Sequence, residues 1–446
     1  MINLNVNQGS ASQGTGIDVT SVVDQIIYAE QAPERIWQQQ QLVLAQQAVS
    51  WNSLSSGMNA LKDKVLALTD LSGAFSAQTV TSSQPNLATA SAGSGATTGV
   101  HTLVIDHLAT VSSYYTDPVA SSSTTLAHGT FTLSVGTGAK DITIDATNDT
   151  LDKLAAYINS HDYGVQASVL NDVNGARLAL VSKTSGAAGD LNVSVNGTGL
   201  VFQKSVTGVN AGFTLDGVPL SSSTNTVSSV LPGVTLNLLA AAPATPVTLT
   251  IAHDTARVTQ AINDFVSAYN SVSTSINSQY KSAAASSAGP LASNSALRAL
   301  QNSLLSDVTY AVTGNNGLVN LASLGVDMNN DGTLTVDTTK LNSALSNQFA
   351  DVQTFFQAVN VGGFGSNFTS DLNSLTSPTS GLLSLNLAEN TSNQQLIKNQ
   401  IQDFEDRLVF RRQFLINQYS QVDTMLRQYP LLIQQITSQL AVIPSS

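Results

Sequence analysis

The two ends of this chain carry the same pattern, and that pattern limits what it can fold into more than any other feature. Near the N-terminus, Trp37, Gln40, Leu44, Gln47, Trp51, Leu54, Met58, Leu61, Val65 and Leu68 recur at alternating steps of three and four. Near the C-terminus, Ile401, Phe404, Leu408, Leu415, Val422 and Met425 keep the same register, with Arg411 and Gln418 also in the seam. Such spacing holds one stripe on one side of a helix, as the seam of a coiled coil requires. Runs of roughly 35 and 40 residues reach about 50 to 60 Å at 1.5 Å per residue. A stripe of Leu, Met and aromatic residues is ordinarily plain core. Two features raise these seams above that: their length, and the polar Gln40 and Gln47, which weaken an internal core but set register or partner choice. Each buried Leu or Ile is worth about 1.5–3 kcal/mol, so an exposed seam seeks a partner. A chain that leaves and returns along matched helices reads as a rod with a head.

Between the two seams the hydrophobic period changes to two. Leu103 and Ile105, Phe131, Leu133 and Val135, and Ile142 and Ile144 alternate with polar residues. Asn174-Gly175 and Asp216-Gly217 supply the positive φ angles of tight hairpins. One short helix is expected after a cap at Thr150, and Pro243 and Pro246 are expected to break the strand pattern before Val247–Ile251. Helical periodicity returns at Asp254, with Val258, Ile262, Phe265, Tyr269, Val272 and Ile276 on one side. Residues 282–289 read as a low-complexity linker, and Pro430 is expected to kink or end the last helix near Tyr429.

The fold class that follows is multidomain α+β: a helical, coiled-coil-like domain formed by both chain ends, with two inserted β-rich head domains. Its expected limits are a flexible segment at 1–34, a helical leg at 35–76, a β-rich head at 77–115 resuming at 205–252, an inserted outer head at 116–204, the returning leg at 253–429 and a second flexible segment at 430–446. Residues 1–16 are polar and Gly/Ser-rich, so they read as disordered on their own.

Composition narrows the function. Charged residues are 10% of the 446 and the net charge is −12, which argues against nucleic acid and against a polybasic membrane contact. No apolar run approaches the roughly 20 residues of a spanning helix, and the basic start of a secretory signal is absent. Cysteine is missing entirely. That fits either a cytosolic chain or one that must stay free of cross-links before export.

No catalytic, cofactor or metal constellation stands out. Asp327, Asn329, Asp331 and Gly332 imitate the start of a calcium loop, but Thr338 occupies the position of the bidentate Glu, so a hairpin turn is expected. His101 and His107, about 20 Å apart along one strand, are too distant to share a metal. Gly93, Gly95 and Gly99 lack the spacing and the following helix of a dinucleotide loop.

Several segments resemble a known family. Gly16-Ile17-Asp18, Val22-Val23 and Ala29-Glu30-Gln31-Ala32-Pro33 look like the opening of the flagellar filament cap family, hook-associated protein 2. Residues 167–185, 211–219 and 234–236, Asp264-Phe265 with Ala268-Tyr269-Asn270, Leu324-Gly325-Val326 with Asp331-Gly332, and residues 411–426 are similar to its later segments, in the same order. The resemblance implies a non-enzymatic, self-assembling cap at the tip of a bacterial flagellum, with head domains forming a plate and paired helices forming legs. It further implies export through the flagellar apparatus without a cleaved signal, with flagellin, hook–filament junction proteins and a cytoplasmic export chaperone as partners. Two alternatives stand beside it. One is another axial protein, a flagellin or junction protein; the Ala-Glu-x-Ala-Pro segment favours the cap. The other is a surface adhesin that binds host glycans through the head.

Overall fold

The computed structural model describes residues 16–93, 95–281, 288–357 and 362–440. The opening read as disordered, through Thr15, and most of the 282–289 linker therefore lie outside the described residues. The chain divides into two compact units, Met1–Thr69 with Ala261–Ser446, and Asp70–Gln260.

Helix α1 (Val19–Glu30) opens on Asp18, whose carboxylate accepts the Ser21 amide. It was expected within a flexible segment, but it is packed: Val23 is wholly buried. Helix α2 (Ala32–Thr69) follows, with Pro33 in its first turn, where a missing N–H costs nothing.

The second unit is built from antiparallel strands around two cores. In chain order these are β1 (Gln78–Ser82), β2 (Ala88–Ala92), β3 (Gly99–His107), β4 (Val111–Thr116), β5 (Gly129–Val135), β6 (Gly138–Ile144), helix α3 (Leu151–Ser160), β7 (Val165–Asp172), β8 (Gly175–Ser185) and β9 (Leu191–Asn196). Then come β10 (Phe202–Val206), β11 (Ala211–Leu215), β12 (Val218–Ser222), β13 (Thr226–Leu231), β14 (Val234–Leu238) and β15 (Ala242–His253). One core lies between the sheets β1-β15-β3-β11-β12 and β13-β14-β2, where Leu103, Ile105, Phe213, Leu236 and Leu249 are buried. The other joins β10-β4-β8-β7, β6-β5-β9 and α3, around Phe131, Leu133, Ile142, Leu154 and Leu178. Between β11 and β12, Asp216 and Gly217 take φ of 53° and 80°, the mirror-image turn that matches strand twist. Pro243 and Pro246 do not break the strand. They sit inside β15, in the stretch where its register with β3 shifts between Ala242 and Val247. A proline is tolerated there because the ladder asks for no N–H.

The chain returns along α4 (Thr255–Tyr280), where Asp254 caps the Arg257 amide and Val258, Ile262, Phe265, Tyr269, Val272 and Ile276 are buried. Next come α5 (Ser295–Val308), the hairpin β16 (Val326–Met328) and β17 (Leu334–Val336), then α6 (Thr338–Asn347), α7 (Phe349–Gln357), α8 (Phe364–Thr376) and α9 (Leu382–Leu440). In the hairpin turn Asp331 accepts the Thr333 amide and hydroxyl. Phe355 and Phe364 stack at 5.0 Å, and Phe265 meets Phe368 edge-on at 5.8 Å, which ties α4, α7 and α8 together. Helix α9 does not stop near Tyr429. It continues through Pro430 to Leu440, so the segment expected to be flexible from 430 is helical as far as it is described. Pro430 and its neighbours are exposed, so the carbonyl that loses its partner can turn to water.

Candidate assembly surface

Helices α1 and α2 run antiparallel to α9, and their partners form a ladder whose numbers rise on one side as they fall on the other. At its inner end Asn390 donates to Gln47 Oε1 at 3.2 Å, while Gln47 Nε2 donates to the Pro290 carbonyl at 3.0 Å. One turn outward Gln394 donates to the Leu44 carbonyl, and the Trp37 ring meets Phe404. Further out, Arg411 pairs with Glu30 at 3.3 Å and Arg412 with Asp24 at 2.8 Å. At the last rung the Ile17 amide donates to Asp423 Oδ1 at 2.8 Å. The Arg427 guanidinium, with that amide, holds the Asp423 carboxyl below the usual carboxylate range.

The seam residues divide by position. Trp51, Leu54, Met58, Leu61, Val65 and Leu68 are buried where α2 is covered by α8 and α9, and Leu408 and Leu415 are buried on α9. Trp37, Leu44, Ile401 and Phe404 are half-buried. Gln40, Arg411 and Gln418 are exposed, and Arg411 serves the ladder as an ion-pair partner rather than a seam residue. Val422 and Met425 are also exposed, at 39% and 64%.

Beyond that point α9 continues with Tyr429, Leu431, Leu432, Ile433 and Ile436, each more than half exposed and uncovered by any described segment. A second apolar surface was not anticipated from the seam pattern. Ile36, Val43 and Leu396 line an open groove of about 620 Å³ between α2 and α9, and Phe410 and Phe414 stand out from α9. Its sequence signal is a parallel stripe: Ile36 and Val43 lie seven apart, and Phe410 and Phe414 four apart. The arrangement offers apolar contact and amide hydrogen bonding rather than bond-making chemistry. Elsewhere, His101 Nδ1 lies 2.7 Å from Asp216 Oδ2, a turn-bracing contact. Among the described residues no helix is long and apolar enough to cross a membrane.

The family model described as flagellar hook-associated protein 2 C-terminus matches residues 208–430, and that of its N-terminus matches 15–112. A flagellin hook IN motif matches 130–184. The chain is 29% identical over 425 residues to the B-type flagellar hook-associated protein 2 of Pseudomonas aeruginosa, covering 87% of this chain and 88% of that one. It is 28% identical over 372 residues to the flagellar hook-associated protein 2 of Escherichia coli K12, covering 77% and 79%. A crystal structure of the D1-D2-D3 domains of the Escherichia coli flagellar cap protein FliD superposes with a TM-score of 0.57 at 27% identity, covering 77% of this chain and 99% of that one.

Proposed function

The chain belongs to the flagellar hook-associated protein 2 family, and we propose that it acts as a structural cap at the distal end of the flagellar filament. It assembles with copies of itself and with flagellar components, and alternatives such as a junction protein are not favoured. Our reading assigns the two surfaces of the helical unit to that assembly. The α9 extension and the α2–α9 groove engage filament subunits, while the β unit builds a plate beneath which emerging flagellin folds and joins the lattice. Flagellin and the junction proteins are the partners this reading names, with export as an unfolded chain and no catalysis.

One observation carries it: the apolar surface from Tyr429 to Ile436, without a described partner. A fully buried side chain of this size is worth about 1.5–3 kcal/mol, so covering five half-exposed ones is worth on the order of 5 kcal/mol. That contribution favours a partnered state and offsets part of the cost of association.

The test is the double variant Leu432→Glu with Ile436→Glu, expressed in cells lacking the protein. Both side chains face solvent, so helicity should be unchanged. We expect few or no filaments and monomeric flagellin in the medium. Filaments of normal length would remove this stretch from the capping contact.

A further inference from the structure

Asp307 is the outstanding buried ionisable group that the assembly surface does not use. It lies on α5 with 4% of its surface exposed, and its Oδ2 has no hydrogen-bond partner. Opposite it on α8 stands Asp371, within hydrogen-bonding reach. The two helices are cross-linked reciprocally around this pair. Ser303, one turn before Asp307 on α5, donates to Asp371 Oδ2. Asn367, one turn before Asp371 on α8, sits 3.4 Å from Asp307 Oδ1 and donates to it.

An ionised Asp307 would leave this square with two negative carboxylates side by side, one of them out of water and incompletely bonded. Among the described residues no Lys or Arg forms an ion pair with it. The ionisable groups that face it are Asp371 from α8 and the Tyr269 phenol from α4. Neither supplies a positive charge. Two carboxylates at such range cannot both ionise cheaply, whereas a protonated one becomes a donor to the other.

We propose that Asp307 and Asp371 share a single proton, carried on Asp307 Oδ2 and donated to the Asp371 carboxylate, and that this proton clamps α5 to α8. The clamp makes the cohesion of the helical unit depend on pH. Burial, with the Asp371 charge beside it, pushes the Asp307 carboxyl up to about 8. The unfolded chain releases this proton near pH 4 and the folded chain keeps it until about pH 8. Stability from this site is therefore full below the lower value, falls as pH rises between the two, and levels off above. The same surroundings, burial first, push the Tyr269 phenol upward, so it stays neutral across this window.

The experiment titrates the full chain labelled with ¹³C at aspartate carboxyls, followed by NMR, beside Asp307→Asn and Asp371→Asn. One carboxyl resonance should titrate near pH 8, vanish in D307N and move toward acid in D371N. If every aspartate titrates below about pH 5, the shared proton does not exist. A thermal melt of the helical unit adds a second readout: the wild-type midpoint should fall between about pH 5 and 8 while that of D307N stays flatter. Parallel profiles would overturn the clamp. Should D307N fail to fold, the wild-type titration alone decides.

Discussion

Trp37 and Phe404 meet edge to face, with ring centroids 5.2 Å apart and planes at 88°. These residues lie at opposite ends of the sequence, and the contact marks where the ladder passes from amide rungs to charged ones. Edge-to-face pairs contribute about 0.5–1.5 kcal/mol beyond the area they bury. Both rings are half-buried. A double-mutant cycle of Trp37→Ala and Phe404→Ala, read by urea unfolding, should return a coupling in that range. A coupling near zero would mean the rings only share a neighbourhood.

Gln47 holds two partners from distant parts of the chain, the Pro290 carbonyl and the Asn390 amide. Replacing it by Leu keeps the bulk and leaves both groups unpaired. Each buried orphan costs about 1–3 kcal/mol, discounted here for partial exposure. Gln47→Leu should therefore destabilise the helical unit by about 1–2 kcal/mol even though it makes the seam more apolar. A gain in the denaturation midpoint would contradict the hydrogen-bonded role.

The outer rungs should matter far less. Arg411 and Arg412 pair with Glu30 and Asp24 on exposed helix faces, where such pairs contribute about 0–1 kcal/mol and are screened by salt. Arg411→Ala and Arg412→Ala should each cost under about 1 kcal/mol in low salt and less in half-molar salt. A larger, salt-insensitive loss would show that the arginine stems supply packing.

In the β unit the pH dependence has the opposite sign to that of Asp307. The His101 ring, with the Thr102 amide, holds the Asp216 carboxyl below its ordinary range. Its contribution is present above the unfolded value near 4 and is lost as pH falls through the lower folded value. Asp216→Asn keeps a residue that tolerates the positive φ of this turn. The variant should be less stable than the parent at neutral pH, and the gap should close on acidification below about pH 4. A gap that is constant with pH would point to turn geometry alone.

The sequence pattern and the three-dimensional arrangement part company at identifiable residues. Steps of three and four place Trp51 through Leu68 on one line of α2, because a helix repeats that way whatever covers it. The same rule places Val422 and Met425 in line, but periodicity carries no information about where a partner ends, and these two stand in solvent. Asp216-Gly217 was legible as a turn because few residues adopt positive φ, and both do so here, whereas at Asn174-Gly175 only the glycine does. The phenylalanine cluster was not legible, since Phe265 and Phe364 are joined only through the fold. Pro430 does not end the helix for a physical reason: its penalty is local, and water can meet it on an exposed face. Asp307 left a faint trace, falling on the stripe of Leu297, Leu300 and Leu304, where a charged residue has no business unless something neutralises it.

Helix α2 ends at Thr69 and the helix it lies along begins at Leu382. Their pairing closes a loop of more than three hundred residues, an entropic cost that the contiguous β unit does not meet. After passage as an unfolded chain, the helical unit is thus the half whose completion waits for the two extremities to find one another.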